Sequence, residues 1–296
     1  MRASTADRVR ALDASFLPLP RFEALAGLCL AAARAACGRD LRGAMVHGSC
    51  LPAELGGKGG FIPGFSDFDF HAYLDPARMR GDRACTVETA LALQRAFTAV
   101  QTSAAPTAPV QLFCVNATRL PRGWSLPEGA HRVLYGIVPP LPAEPAPARA
   151  QALARLRGCR RDAAAITASV CDKTDAGMQG TVLSCASMLK GALPHAAVLD
   201  GAGAEAVWLW PLSRVVLEAA PLAVAGAEAL AFWGELTDWE GARRSPERLR
   251  GMVLAAVTAL DRLADFAERR EAGRAAAEGH AAGSGVPGED WGPTAS

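Results

Sequence analysis

Apolar residues in the first half of the chain recur at helical spacing in some segments and at strand spacing in others. Residues 21–37 are apolar at helical spacing and follow FLPLP, so we predict a helix that begins near Pro20. Short runs rich in β-branched and aromatic residues predict strands at residues 44–46, 67–74 and 110–115, with a fourth at 131–135. A helical pattern at residues 86–100 separates the second strand from the third. This order predicts an α/β domain with a small mixed sheet.

The pattern changes near residue 145. Residues 137–147 read IVPPLPAEPAP, and so many prolines predict a stiff linker. The predicted helices beyond it cover residues 148–170, 176–190, 204–219, 223–239 and 246–270. We therefore predict an α/β domain over residues 1–140 and an all-α domain over 148–272. The Ala/Gly/Ser-rich residues 273–296 predict a disordered tail.

Two aspartates interrupt a segment that otherwise has the composition of a buried strand. The segment reads SDFDF, with Asp67 and Asp69 alternating with Phe68 and Phe70. Successive residues of a strand point to opposite faces, so the two rings enter a core while the two carboxylates share the other face. Two carboxylates so near each other repel, and a divalent cation is the usual means of offsetting the repulsion.

A glycine and a serine follow the first predicted strand. Gly48 allows the backbone to approach a phosphate closely, and the hydroxyl and amide of Ser49 are suited to binding phosphate oxygens. A pair of aspartates opposite such a turn is suited to Mg²⁺, which bridges phosphates and neutralises their charge. The two motifs together predict a nucleotide site.

Val46-His47-Gly48-Ser49 followed by Asp67-Phe68-Asp69-Phe70 resembles the DNA polymerase β-type nucleotidyltransferase superfamily, whose motifs are hG[GS] and Dh[DE]h. The resemblance covers about residues 40–136, and a helical second domain is similar to the arrangement of aminoglycoside nucleotidyltransferases. It implies transfer of a nucleoside monophosphate from a Mg²⁺-bound NTP, ATP above all, to a hydroxyl of a small molecule. The residues it implicates are Asp67 and Asp69 in catalysis and metal binding, and Gly48, Ser49 and Ser66 in nucleotide binding.

The third carboxylate of that superfamily is replaced here by an amide. The corresponding strand reads PVQLF, with Gln111 at the position of the acid. An amide carries no charge and is not a general base. The alternative to an active enzyme is therefore a nucleotide-binding or regulatory module on the same fold. His71, on the strand face of Asp67 and Asp69, is a further candidate for a chemical role, although a partly buried surface histidine is the simpler interpretation.

Two lysines are candidates for phosphate binding. Lys190 ends the helix predicted at residues 176–190, where a cation complements the helix dipole, and two-domain nucleotidyltransferases supply triphosphate-binding cations from the second domain. Lys58 lies in GGKGG, which lacks the GK[ST] and helix of a P-loop, so a solvated loop lysine is the simpler interpretation. The glycine-rich residues 51–64 predict a mobile flap over the nucleotide.

Charge and cysteine content limit the other partners. The formal net charge is +1, which favours neither nucleic acid nor a membrane as a partner. The eight cysteines form no CxxC pair, which predicts free thiols in a reducing compartment, and with no signal-peptide pattern we expect a cytoplasmic protein. A run of arginines at residues 155–161 predicts a solvated helix face. Three acids, Glu235, Asp238 and Glu240, are candidates for an acidic wall facing a polycationic acceptor, although exposed carboxylates on helices are common.

Overall fold

A computed structural model describes residues 3–104, 108–119, 131–139 and 148–283 of the 296-residue chain. A four-stranded sheet has the strand order β3-β2-β1-β4. β1 (Leu41–His47) is antiparallel to β2 (Phe68–Leu74) and to β4 (His131–Gly136), whereas β2 is parallel to β3 (Val110–Asn116). Antiparallel and parallel pairs in one sheet confirm the prediction of an α/β region with a small mixed sheet.

Two helices cover one face of this sheet. α2 (Leu19–Cys37) precedes β1, and α3 (Val87–Ala104) makes the crossover that the parallel strands β2 and β3 require. The two phenylalanines of β2 face these helices: Phe68 lies 5.5 Å from Phe22 of α2, and Phe70 lies 5.8 Å from Phe97 of α3, between ring centroids. The alternation of β2 therefore turns its aspartate and histidine side chains toward the opposite face.

The second half of the chain forms a helical bundle with its own core, as predicted. α4 (Ala148–Val170), α5 (Asp175–Leu199) and α11 (Pro246–Gly283) pack against one another, and α9 (Gly226–Leu236) packs on α11. The shorter elements are α6 (Ala204–Trp208), α7 (Leu212–Arg214), a π-helical turn (Val215–Ala219), α8 (Ala220–Leu222) and α10 (Trp239–Ala242). The buried core is dominated by alanine, leucine and valine, which allows close helix packing.

The N-terminal segment contacts the helical half rather than the sheet. Its helix α1 (Thr5–Ala11), which the sequence pattern did not predict, packs on α9. Ser4 caps this helix by accepting a hydrogen bond from the Asp7 amide at 3.2 Å. Val9 and Leu12 are buried in the core of the helical half. One short helix from the beginning of the chain thus completes a core built mostly from residues after 148.

The loop between β1 and β2 joins the two halves. The amide of Gly60 donates to the carbonyl of Leu12 at 2.6 Å, and the amide of Phe61 donates to the carbonyl of Ser15 at 3.0 Å. Trp239 donates its indole N–H to the carbonyl of Gly64 at 3.2 Å. Only part of the predicted flap, chiefly residues 53–56, is exposed. This loop holds the edge of the sheet and the helical half in fixed relation.

The end predicted for α5 at residue 190 was wrong. The helix continues to Leu199 and contains Pro194, so Lys190 lies within it and not at its C-terminus. Residues beyond Lys190, including Leu193 and Ala197, are almost fully buried. This burial outweighs the one backbone hydrogen bond that the proline removes. The helix dipole therefore gives no account of Lys190.

Other element bounds also differ from prediction. The helix predicted over residues 204–219 is interrupted between Trp208 and Leu212, because Pro211 cannot continue a helix. The helix predicted over 223–239 begins at Gly226 and ends at Leu236. α11 continues to Gly283, into the segment predicted to be disordered. Residues 140–147 of the predicted linker and 284–296 of the predicted tail lie outside the described residues.

The described residues give only weak indications of a membrane-spanning helix. Within the described ranges, α5 is long and apolar enough to cross a membrane, and a second span arises only if the sharply bent pair Thr5–Ala14 and Leu19–Asp40 is counted as one. In α5, 56% of the apolar window is buried inside the protein. A core helix of a soluble protein has this same character, so the architecture is consistent with a soluble protein.

Candidate functional site

A cavity of about 560 Å³ lies between the edge of the sheet and α5. Its volume is in the range of about 300–1,000 Å³ that is usual for small-molecule sites. Its walls come from β1, β2, β3, the loop between β1 and β2, the helices α4, α5, α6, α7 and α9, and the π-helical turn. The residues predicted to bind metal or nucleotide all line it, namely Gly48, Ser49, Ser66, Asp67, Asp69 and Lys190. The fold thus brings together residues up to 142 positions apart in the sequence.

Asp69 lies in a row of polar residues that crosses the sheet. The register pairs it with His47 on β1 and with Gln111 on β3, and His47 in turn pairs with His131 on β4. Directly paired residues on neighbouring strands point to the same face. Gln111 therefore lies beside Asp69 and lines the cavity.

The two aspartates are costly to ionise in this position. Burial raises the pKa of Asp67 and of Asp69 from 3.8 to about 6. The charge of Asp67 raises the pKa of Asp69 further, and the charge of Lys190 opposes the increase at both carboxylates. Near neutral pH both groups are ionised although partly desolvated and repelling each other. A bound cation would relieve this unfavourable energy.

Gly48 turns the chain out of β1 directly against Asp69. Its φ of 93° lies in the left-handed region, which a residue with a side chain rarely adopts. A Cβ atom at this position would stand 2.9 Å from Oδ2 of Asp69. The backbone conformation favours glycine, and a side chain here would displace the Asp69 carboxylate. The turn therefore exposes backbone without a side chain next to a carboxylate. A phosphate could approach this backbone while a cation joins the phosphate to the carboxylate.

Lysine is rare in this chain but concentrated at the cavity. The sequence has three lysines among 31 basic residues, and two of the three, Lys58 and Lys190, line the cavity. Burial, together with the charge of Lys190, lowers the pKa of Lys58 to about 8. The interpretation of Lys58 as a solvated loop residue was therefore wrong. Two ammonium groups and two carboxylates now share one cavity.

His47 and His71 on this face are neutral at physiological pH. His71 is 1% exposed, and its ring lies 4.5 Å from that of His47 and stacks on Phe113 at 4.6 Å. Burial, aided by the charges of His47 and Arg83, lowers the pKa of His71 to about 2. Burial, aided by Lys190 and His131, lowers the pKa of His47 to about 4. His71 does not line the cavity, but its ring packs against His47, which does.

Ser66 shapes the loop that leads into β2. Its hydroxyl accepts a hydrogen bond from the Ile62 amide at 2.9 Å and contacts the carbonyl of Gly60 at 3.5 Å. The side chain is buried, with 8% of the residue exposed. This hydroxyl is engaged within the loop, whereas Ser49 makes no side-chain hydrogen bond to any residue that the structure describes. Of the two predicted phosphate-binding serines, Ser49 is the better placed.

The predicted acidic wall is engaged elsewhere. Glu235 and Asp238 both form ion pairs with Arg248, at 2.6 and 2.9 Å, and Glu240 pairs with Arg243 at 2.6 Å. None of the three acids is among the cavity-lining residues that the structure describes. The interpretation of these acids as a binding surface for a polycation was wrong.

One face of α5 lines the cavity along most of its length, a feature that the sequence analysis missed. The lining residues of this helix are Leu183, Ala186, Ser187, Lys190, Gly191, Pro194, His195 and Val198. They recur at intervals of three and four, as residues on one helix face do. Pro194 concealed this periodicity, because it suggested that the helix had ended. The sole charged residue on this face is Lys190.

The donor groups fit a magnesium ion that arrives with a nucleotide. In the described ranges, no group of three or more His, Cys, Asp or Glu residues is arranged to hold a metal by itself. Magnesium in nucleotide sites is usually held by one or two carboxylates together with substrate phosphates and water. Asp67 and Asp69, with the amide oxygen of Gln111 next to them, are of that kind.

Comparison of the chain with protein-family models, with curated proteins and with solved structures finds no match. The function is therefore inferred from the residues of the cavity.

Proposed function

We propose that this protein is a Mg²⁺-dependent nucleotidyltransferase of the DNA polymerase β type. It would move a nucleoside monophosphate from an NTP, ATP above all, to a hydroxyl of a small molecule. The observation that carries the proposal is the close approach of the Gly48 backbone to the carboxylate of Asp69 in a cavity that also contains Lys58 and Lys190. Exposed backbone, paired carboxylates and cations are the groups that a metal-bound triphosphate needs.

In the proposed mechanism Asp67 and Asp69 would hold the metal ion, and Lys58 and Lys190 would bind phosphates of the nucleotide. Bound Mg²⁺ supplies neutralisation of the charge on the phosphates. The backbone at Gly48 and the hydroxyl of Ser49 orient the triphosphate. Each group acts by positioning and electrostatics, which supply most of the catalysis in phosphoryl transfer.

The reaction requires one bond to form and one to break. The acceptor oxygen attacks the α-phosphorus, the bond from that phosphorus to the bridging oxygen of the β-phosphate breaks, and pyrophosphate leaves. The hydroxyl proton passes to water, because Gln111 has no basic group and Asp67 and Asp69 are engaged with the ion. Loss of a positioned base typically costs about 10²–10⁴-fold in rate, so we expect a slow enzyme.

One observation favours a second candidate function. The amide of Gln111 lies beside Asp69, where a carboxylate would complete the metal site and assist deprotonation. A protein with this substitution is suited to bind Mg·NTP without turning it over. The rival proposal is thus a nucleotide-binding or regulatory module in which the cavity senses nucleotide.

The deciding experiment is pyrophosphate release by the full chain with Mg²⁺, each of the four NTPs and a panel of hydroxyl acceptors. We expect release with ATP and an acceptor, and none in Asp67→Asn or Asp69→Asn. Binding of Mg·ATP by calorimetry without pyrophosphate from any acceptor would favour the binding module. Absence of binding for all four nucleotides would contradict both.

We further propose a cytoplasmic location, where Mg·ATP is abundant, with neither nucleic acid nor membrane as a partner.

A further inference from the structure

The cavity has a polar end at the sheet and an apolar remainder along the helices. β1, β2 and β3 contribute His47, Asp69 and Gln111, among others. The loop and the helical half contribute apolar side chains, including Ile62, Leu183, Val198, Val207, Leu212 and Val215. The triphosphate chemistry proposed above uses the polar end together with Lys58 and Lys190, so the apolar side chains have no ligand assigned to them.

The lining of the apolar part extends over a considerable length. Leu183 and Val198 are fifteen residues apart on the same face of α5. At 1.5 Å per residue they are separated by about 22 Å along the helix. Lys190 lies near the middle of this face. Apolar side chains therefore continue from the phosphate-binding cation in both directions along the helix.

No acidic group is left for a cationic ligand. Among the described lining residues the only carboxylates are Asp67 and Asp69, which the metal ion would occupy. Glu235 and Asp238 of the helical half are paired with Arg248 and do not line the cavity. An ammonium group buried without a counter-charge is strongly unfavourable. The lining thus disfavours a polyamine or an aminoglycoside.

His195 is the titratable residue of the helical wall besides Lys190, among the described lining residues, and it is uncharged at pH 7. Burial, aided by the charge of Arg155, lowers the pKa of His195 to about 4, so its ring is neutral at pH 7. His195, Ser187 and Gln151 line the cavity as neutral hydrogen-bonding groups among apolar side chains. A few neutral polar groups within an apolar wall are typical of sites that orient an uncharged ligand.

We infer that the acceptor is an uncharged alcohol with a mainly apolar alicyclic or aromatic body, which lies along α5 with its hydroxyl directed toward Asp67 and Asp69. Its role as acceptor rests on the proposed transferase function, whereas its binding does not. An apolar body would remove the apolar side chains of the helical wall from water. Because the described lining residues offer no carboxylate beyond Asp67 and Asp69, the cavity disfavours polycations.

The test is calorimetric titration of the full chain with borneol and 2-naphthylmethanol, and with a deoxystreptamine aminoglycoside for comparison. Each titration is made with and without a saturating Mg²⁺-bound non-hydrolysable ATP analogue. We expect both alcohols to bind at least about tenfold more tightly than the aminoglycoside, the scale on which an apolar pocket discriminates. Tighter binding of the aminoglycoside, or no binding of either alcohol in either condition, would overturn the inference.

Two variants locate the alcohol. Leu183 lines the cavity and is 40% exposed, so Leu183→Glu should fold and should weaken alcohol binding about tenfold or more. Leu254→Glu is the control, since Leu254 is 70% exposed on α11 and does not line the cavity. Val207→Thr keeps the shape of a buried wall residue and should weaken alcohol binding several-fold, about the cost of one apolar group.

The outcomes separate the inference from the proposed function. If Leu183→Glu and Val207→Thr weaken binding of the ATP analogue and leave alcohol binding unchanged, the apolar part holds the nucleotide base and the inference is wrong. If the analogue never binds but the alcohols bind and respond to the variants, the transferase proposal fails while the alcohol site stands.

Discussion

Gly48 and Asp69 are in such close contact that a Cβ atom on residue 48 would lie 2.9 Å from Oδ2 of the aspartate. The contact joins the end of β1 to the second strand of an antiparallel pair, at the point where His47 and Asp69 are opposite each other. The glycine of the first motif and the second aspartate of the other motif are thus neighbours, although 20 residues of sequence lie between them.

Gly48→Ala should destabilise the protein and abolish Mg·ATP binding. The methyl group would be forced toward a carboxylate, and alanine would be held at a φ that costs roughly 1–3 kcal/mol. Urea denaturation and calorimetry measure the two effects. Gly27→Ala is the matched control, because an added Cβ at Gly27 of α2 meets no atom within 4 Å. It should stabilise the helix by about 0.5–1 kcal/mol and leave binding unchanged.

Asp69→Asn should raise the thermal stability of the free protein at pH 7.5 and not at pH 4. The folded-state pKa of about 6 exceeds the usual 3.8, so the unfolded chain loses its proton first as pH rises. Wild-type stability therefore falls between about pH 4 and 6 and levels off above. The variant avoids this loss, which is on the order of 1 kcal/mol after allowance for solvent screening.

Asp75 is the control for this experiment, because folding lowers its pKa whereas folding raises that of Asp69. The hydrogen bond from Arg42 lowers the pKa of Asp75, so this carboxylate stabilises the fold above its usual pKa and loses the effect as pH falls. Asp75→Asn should therefore be slightly less stable than wild type at pH 7.5. Melting temperatures from pH 3.5 to 8 decide the matter. An Asp69→Asn curve parallel to that of the wild type would show that the carboxylate is not destabilised by folding.

Gln111→Glu separates the two candidate functions. The new carboxylate would lie beside Asp69 and provide a third metal ligand and a base. In a weak enzyme we expect pyrophosphate release to rise by about 10²-fold or more, the usual scale of general-base catalysis. In a binding module, Mg²⁺ affinity would rise without pyrophosphate. Ordinary turnover in the wild type that slows in the variant would show that the base lies elsewhere.

Lys190→Met should weaken Mg·ATP binding by roughly 10–100-fold, the range expected for losing a hydrogen bond to a charged group. It should also raise the pKa of Asp67 and Asp69 further, because Lys190 now opposes that increase. Lys173→Met is the control, since Lys173 is exposed and lies outside this cavity. Calorimetry gives the affinities, and equal values in both variants would remove Lys190 from the phosphate site.

Hydrogen exchange should divide the loop between β1 and β2 into two parts. The amides of Gly60 and Phe61 are bonded to the N-terminal segment, so we expect slow exchange there with or without nucleotide. Residues 53–58, which include Lys58, should become protected when Mg·ATP binds, as a loop that closes on a ligand does. Unchanged exchange across residues 53–58 would make the loop a passive connection.

Local patterns were sufficient to predict the sheet and the order of the two motifs. The alternation in SDFDF assigned Phe68 and Phe70 to the core and the aspartates to the other face, because strand side chains have a strict period of two. The composition of residues 110–115 likewise predicted a strand. These are short-range relationships, and the residues that determine them lie within a few positions of one another.

The sequence by itself determined the α/β region, the helical second half, the glycine turn and the aspartate pair. Only the tertiary structure decided that α5 continues through Pro194, since burial of its distal residues supplies free energy that no local pattern contains. Likewise, only packing half-buries Lys58, engages Glu235 and Asp238 with Arg248, and brings Lys190 to the aspartates. Burial and charge pairing arise from residues far apart in the chain, so they exist only in the folded protein.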